Sequence, residues 1–333
     1  MPAIHAPDSI AIALVCIKVF ILSTYTPLAS AHGYVQTVVT ADTAYPGWNP
    51  FSDPYMEPTP ERVIRKIPSD GPITDDRDQD LACNVGGESG AALVASTPAG
   101  SVVKFEWTNV NPLSFLLYFF YRYSYLCIRM QWPADHLGPV STYMTSCGGD
   151  CTNFDVNGAD WFKIDADGYS EGSWASAKLI SNNNTWSSKI PSALASGQYL
   201  MRNEIVALHS TGAPQYYPSC AQVGVSGGGS SLPSSDETVK IPGLYDDVDF
   251  PDIWSETFDV WAAPGPAVVS FADNSDGQNS TPSDNGSGGS PRQCRLIDQS
   301  SDSRFSRRSL TTRFSRLAQD IPFVLQHIRS PIV

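Results

Sequence analysis

Three stretches of the sequence hold residue types that could bind and use a transition metal. The first is Ala29-Ser30-Ala31 followed by His32-Gly33-Tyr34-Val35. The small residues satisfy the A-x-A rule for signal peptidase, so cleavage after Ala31 would make His32 the first residue. A processed N-terminal histidine offers an α-amine and an imidazole from one residue, and both are copper ligands. The amine exists only if that bond is cut. The second stretch is Trp132-Pro133-Ala134-Asp135-His136-Leu137-Gly138-Pro139. Gly138-Pro139 marks a turn, which puts His136 at a loop tip where a side chain can reach a metal. The third runs from His209 through Gln215, Tyr216, Tyr217 and Cys220 to Gln222. Gln215 and Tyr217 are two apart and project to the same side of an extended segment. Tyr217 could place a phenol beside a metal, with Gln215 and His209 donating hydrogen bonds to what binds there. Plainer readings exist for each: a chance histidine after a cleavage site, a surface loop histidine, and a buried tyrosine corner of a β-sandwich. With only five histidines in the chain, chance is the weaker reading at His32.

Such residues need a rigid frame that carries loops, and the composition points to an all-β one. Charged residues are 17%, aromatics 11%, and the 333 residues include 25 Gly and 26 Pro, a profile of short strands and turns rather than long helices. Over residues 32–271, β-rich runs such as Ser101-Val-Val-Lys-Phe-Glu-Trp107 alternate with Gly, Pro, Asn and Asp. The pattern predicts one immunoglobulin-like or fibronectin-like β-sandwich with long loops, and the length permits one core plus tails. A single helical turn is expected over 192–196, after Pro191. Of seven cysteines, Cys83, Cys147, Cys151 and Cys220 fall inside this domain, an even set suited to two disulfides in an oxidising compartment. The net charge of −13 argues against nucleic acid, whose phosphates need basic patches, and suits a soluble protein acting on a neutral polymer.

The flanking segments differ in character. Residues 1–31 hold an apolar run from Ile10 to Leu22 and read as a signal peptide, with a membrane anchor as the competing reading because Lys18 interrupts the run and no basic residue precedes it. Residues 272–291 are rich in Ser, Gly, Asn and Asp and have almost nothing to bury, so they are expected to be a linker. Residues 292–333 carry eight Arg against three Asp and are read as a basic disordered tail; contact with an anionic wall or membrane is the alternative. Residues 110–131 match nothing around them. Their uncharged part is far shorter than the ~20 residues of a membrane span, and as an exposed loop they would be an aggregation hazard. Val110 can be encoded by a GT-initial codon and Gln131 by CAG, so these 22 residues read as a translated intron.

Taken together, the motifs resemble the fungal lytic polysaccharide monooxygenases of auxiliary activity family nine, once called glycoside hydrolase family sixty-one. The resemblance runs through His32-Gly-Tyr-Val35, Pro60-Glu-Arg-Val-Ile-Arg65, Asp80-Leu-Ala-Cys-Asn84, His136-Leu-Gly-Pro-Val140 with Tyr143, and Cys147-Gly-Gly-Asp-Cys151. It continues through Glu204-Ile-Val-Ala-Leu-His209, Gln215-Tyr-Tyr-Pro-Ser-Cys-Ala-Gln222 and Ile241-Pro-Gly-Leu-Tyr245. It covers about residues 32–265 except 110–131, which the family lacks at that place.

The resemblance implies a copper ion held by the amine and Nδ1 of His32 and by Nε2 of His136, with Tyr217 as axial neighbour. His209 and Gln215 would orient and protonate dioxygen or peroxide. It also implies disulfides Cys83–Cys220 and Cys147–Cys151, and it makes the aromatics Tyr34 and Tyr245 candidates for an exposed flat face that meets the substrate. The implied activity is oxidative cleavage of cellulose or a related β-1,4-glucan at C1, C4 or both. Electrons would come from ascorbate, a small phenol or cellobiose dehydrogenase. The enzyme is expected to be a secreted monomer, with Asn183, Asn279 and Asn285 as glycosylation acceptors. A hydrolase would need two carboxylates facing each other across a cleft; Asp75-Asp76 and Asp246-Asp247 read instead as solvated loop residues. The runner-up function is a secreted β-sandwich that binds polysaccharide or copper without turnover.

Overall fold

The computed structural model describes residues 32–108, 132–255, 257 and 259–272. The leader, the segment 110–131, the linker beyond Ala272 and the basic tail lie outside the described residues. Chain order gives β1 (Tyr34–Thr40), β2 (Thr43–Pro46), β3 (Ala95–Pro98), β4 (Val102–Thr108), β5 (Val140–Ser146), β6 (Asp160–Asp167), β7 (Tyr169–Ser170) and β8 (Ser173–Trp174). A short helix α1 (Ala175–Ser181) follows, then β9 (Thr185–Lys189), β10 (Gly197–Ala207), β11 (Gln215–Ser226) and β12 (Thr238–Lys240). The strands form a four-stranded sheet, β2-β1-β4-β9, and a six-stranded sheet, β12-β6-β5-β10-β11-β3, with β7 and β8 as a separate ribbon. Among the described strands only β3 pairs in parallel, on β11; the other strand pairs of both sheets are antiparallel. Among the described residues no helix is long and apolar enough to cross a membrane.

Period-two alternation drives the four-stranded sheet. In β4, Val103, Phe105 and Trp107 are buried while Val102 is exposed, so one face of the strand enters the core. The opposite sheet answers with Met144, Phe162, Ile164, Met201, Ile205, Tyr217, Ala221 and Val223, and the two inner faces share one apolar cluster. This is the β-sandwich that the turn-rich composition predicts. Strands β10 and β11 depart from alternation, being buried along nearly their whole length. Loops cover the outer face of their sheet and make a second cluster with Leu81, Tyr143, Trp161, Leu200, Tyr216 and Tyr245.

Charge is enclosed under that loop layer. Arg202 and Glu204 are fully buried and bonded at 2.5 and 2.8 Å. The same guanidinium donates to the carbonyls of Leu81 and Ala82, and the Tyr245 hydroxyl donates to Glu204. Cys83 and Cys220 form a disulfide across a sequence separation of 137 residues, and Cys147 and Cys151 form one across four. On chain entropy alone the long closure restricts the unfolded chain by about 5 kcal/mol and the short one by about 2 kcal/mol. Of the single helical turn expected over 192–196 only a tight turn forms, with Leu194 N–H donating to the Pro191 carbonyl at 3.1 Å; Leu194 then makes an isolated bridge to Ser231. Among the described residues the α-helix is α1, seven residues with Ala175 and Leu179 buried one turn apart, too short for its period to stand out in the sequence.

The two flanks of 110–131 meet. The rings of Trp107 and Trp132 pack edge to face at 5.6 Å between centroids. The main-chain N–H of Trp107 donates to the Asn184 carbonyl, and that of Trp132 to the Asn184 side-chain oxygen. Thr108 and Asn109 alone can span such a gap at about 3.3 Å per residue. Joining Asn109 directly to Trp132 is therefore expected to leave the sandwich folded, with unchanged near-ultraviolet dichroism and a higher yield of soluble protein. A deletion variant that loses cooperative unfolding refutes this. A second expectation concerns Lys163, which is 4% exposed and donates to the Pro264 carbonyl at 2.8 Å. Burial pulls its pKa down to about 8, below the ordinary lysine value near 10.4. Between these values the unfolded chain holds a proton that the folded one has released, so stability rises with pH from about 8 towards 10. Lys163→Met should flatten that rise, worth on the order of 3 kcal/mol, in denaturation midpoints measured across the window.

Candidate metal centre

Strand register collects the three histidines at one end of the sandwich. Tyr34 at the start of β1 faces Thr108 at the end of β4. Val140 at the start of β5 faces Ile205 near the end of β10, and Ala207 faces Gln215 across the β10–β11 connection. His32 thus enters just before β1, His136 just before β5, and His209 just after β10.

The His136 loop is tied down on both sides. Leu208 N–H donates to the Leu137 carbonyl and Val206 N–H to that of Pro139, while the Trp132 indole donates to the His136 carbonyl at 3.0 Å. Gly138 lies so close to β10 that a β-carbon there would sit 1.8 Å from the Val206 carbonyl oxygen. The loop tip is consequently not a solvent-facing one: His136 is 2% exposed. Its imidazole stacks on that of His209, centroids 3.8 Å apart and planes inclined by 18°, and meets the Trp132 ring edge to face at 5.9 Å. The half-buried His32 ring lies 6.3 Å from the Tyr217 ring, which is 6.4 Å from that of His136 and 5.0 Å from that of Trp132. Tyr217 is buried, and its hydroxyl donates to the Gln215 side-chain oxygen at 2.8 Å. The two residues share one side of β11 as their spacing predicts. The structure thus brings His32, His136, His209, Gln215 and Tyr217 into one neighbourhood.

Hydrogen bonding distinguishes the ring nitrogens. Asp135 Oδ1 lies 2.9 Å from His136 Nδ1, whereas His136 Nε2 and His209 Nδ1 are buried with no protein partner. An unpaired buried nitrogen is costly unless something supplies a bond, and a metal bound at Nε2 would supply it. Desolvation, then the neighbouring His136, holds the His209 pKa below its usual value, and Asp135 opposes them in part. The ring therefore favours its neutral form. Burial holds the Tyr217 phenol protonated far above the ordinary tyrosine range. Among the described residues no three His, Cys, Asp or Glu side chains cluster as a metal-binding set; two imidazoles, with a main-chain amine were the chain cut before His32, would be a different donor set, one that suits copper.

Two expectations require correction. Tyr34 and Tyr245 are 3% and 4% exposed and do not lie on an open face. Tyr34 packs with Trp48 and Ile67, and Tyr245 caps the buried Arg202–Glu204 pair. An aromatic inside a motif looks the same in sequence whether it points out or in. Residues that the sequence reading gave no role include Asp135, Trp132 and Trp254. Trp254 is 60% exposed and donates its indole N–H to the His209 carbonyl at 2.9 Å. For Asp135 the signal was present, a carboxylate directly before a histidine. For Trp254 nothing local marked it.

Comparison with known proteins agrees with this geometry. The profile of Auxiliary Activity family 9 (formerly GH61) matches residues 32–263. The chain is 40% identical over 255 residues to the AA9 family lytic polysaccharide monooxygenase A of Gloeophyllum trabeum, covering 72% of each. It is 37% identical over 258 residues to monooxygenase B of Heterobasidion irregulare, covering 74% of this chain and 95% of that one. Among solved structures, the extended catalytic domain of H. jecorina LPMO9A superposes with a TM-score of 0.62 at 33% identity, over 75% of this chain and 96% of that domain. Since the profile opens at His32 and runs through most of the described sandwich, the chain belongs to Auxiliary Activity family 9 and is a lytic polysaccharide monooxygenase.

Proposed function

We propose that the chain is secreted, is cut after Ala31, and as a monomer binds one copper ion through the amine and ring of His32 and through Nε2 of His136. The observation that carries this reading is the buried His136 Nε2 with no protein partner. The family match that begins at His32 supports the cleavage point. Bound copper would supply the one-electron chemistry needed to break a strong C–H bond at C1 or C4 of a β-1,4-glucan such as cellulose.

This chain's residues hold and shield the reacting position. The His209 ring supports that of His136 and, being neutral, can donate or accept a proton at a ring nitrogen. Tyr217 stays a phenol, with its hydrogen bond to Gln215 fixing both side chains. Two cavities of about 350 and 100 Å³ are lined around Lys163, Tyr169 and Trp261 and around Asp80, Cys83 and Asn84, away from the three histidines. A site at the sandwich end, lining neither of these two cavities, suits a flat polymer that cannot enter a pocket. Electrons would come from ascorbate, a small phenol or cellobiose dehydrogenase. Asp75, Asp246 and Asp247 are exposed, in keeping with solvated loop carboxylates rather than a hydrolytic pair. Exposed Asn183 is the glycan acceptor we favour within the described residues.

The mature protein with copper, ascorbate and swollen cellulose should release oxidised oligosaccharides; only unoxidised sugars, or none, would refute the activity. His136→Ala should weaken copper binding by more than about 100-fold in calorimetry, beyond the loss typical of outer residues. One extra glycine ahead of His32 should do comparable harm, because it turns the amine into an amide. Wild-type affinity in the extended protein would sink the proposed ligand set.

A further inference from the structure

The contact between Asp135 and His136 has a role that neither the fold nor the ligand set explains. The imidazole side chain is 3% exposed and the carboxylate 70%, so the pair reaches from the interior to the surface. The backbone between them is fixed: His136 N–H donates to the Pro133 carbonyl at 3.1 Å and Leu137 N–H to that of Asp135 at 2.9 Å. His209 covers the face of the ring and Trp132 meets it edge on. Within the ring plane, the contact at Nδ1 is with the carboxylate, 2.9 Å away. A carboxylate oxygen only accepts at neutral pH, so Nδ1 must carry the hydrogen. A neutral imidazole has one N–H, which leaves Nε2 with a lone pair.

We infer that Asp135 is a positioning residue: it fixes the Nδ1–H tautomer of His136 and so presents Nε2 as a preformed metal ligand. It also favours the cupric state, because an anion hydrogen-bonded to the far nitrogen makes the ring a stronger donor to the more highly charged ion. The assignment rests on the copper reading above for its ligand and on geometry alone for its tautomer. Solvent around the exposed carboxylate keeps the effect moderate.

Asp135→Ala and Asp135→Asn test it, and neither opens the core because the side chain is exposed. In metal-free wild-type protein, above the imidazole titration range, nitrogen NMR should show the His136 proton on Nδ1. The Asn variant should keep that tautomer, since its amide oxygen still accepts, and the Ala variant should release the ring to a mixture with Nε2–H. Cu(II) affinity should fall about 10- to 100-fold in Asp135→Ala and recover only in part in Asp135→Asn, which restores the acceptor but not the charge. Both variants should raise the Cu(II)/Cu(I) potential; a tenfold loss confined to Cu(II) corresponds to about 59 mV for one electron. A wild-type proton on Nε2, or an Ala variant with unchanged tautomer and cupric affinity, overturns the inference. The NMR arm needs no copper, so a wild-type protein that fails to bind copper defeats the ligand proposal while the tautomer result stands on its own.

Discussion

Everything at the histidine cluster depends on the antiparallel registers of β1 with β4, of β5 with β10 and of β10 with β11. Those pairings place a strand start beside a strand end three times at one edge of the sandwich. Residues far apart in sequence meet there because strands of fixed rise leave little freedom in where their ends fall. The loops add fine placement. The His136 loop is bonded to the outgoing end of β10, so His136 and His209 move as one unit, and the stacking of their rings follows.

The outer face of the six-stranded sheet shows how that register is protected. A fully buried arginine and glutamate would destabilise the domain if either stood alone. Here the guanidinium also satisfies two carbonyls of the turn before Cys83, and a tyrosine hydroxyl completes the carboxylate. The disulfide from Cys83 to Cys220 then anchors the same turn to β11, the strand that carries Gln215 and Tyr217. Charge pairing and covalent closure thus hold one loop layer against the strand that shapes the site.

Much of this was legible in the sequence, for reasons that differ by residue. Alternation in β4 and the density of turn residues gave the sandwich, because period two is a direct imprint of one buried face. His32 and His136 stood out through their settings, a small-residue run of the A-x-A kind and a Gly-Pro turn, and Gln215 with Tyr217 through spacing. Tyr34 and Tyr245 were misread because burial on a second face depends on which loops fold over it, and that is a property of distant segments. The helix α1 was missed because seven residues carry barely two turns of signal. The burial of His136 was also unexpected: a loop tip is open only if its neighbours leave it so, and here His209 and Trp132 close it.

Gly138 carries a consequence for natural variation. No side chain fits between it and the backbone of β10, so the path of the His136 loop is dictated by a partner strand rather than by the loop's own amino acids. The exposed side chain of Ala134 can therefore change without shifting the histidine. A single added methyl at the glycine, which alters no ligand and no charge, would lift the whole loop and separate the two stacked rings.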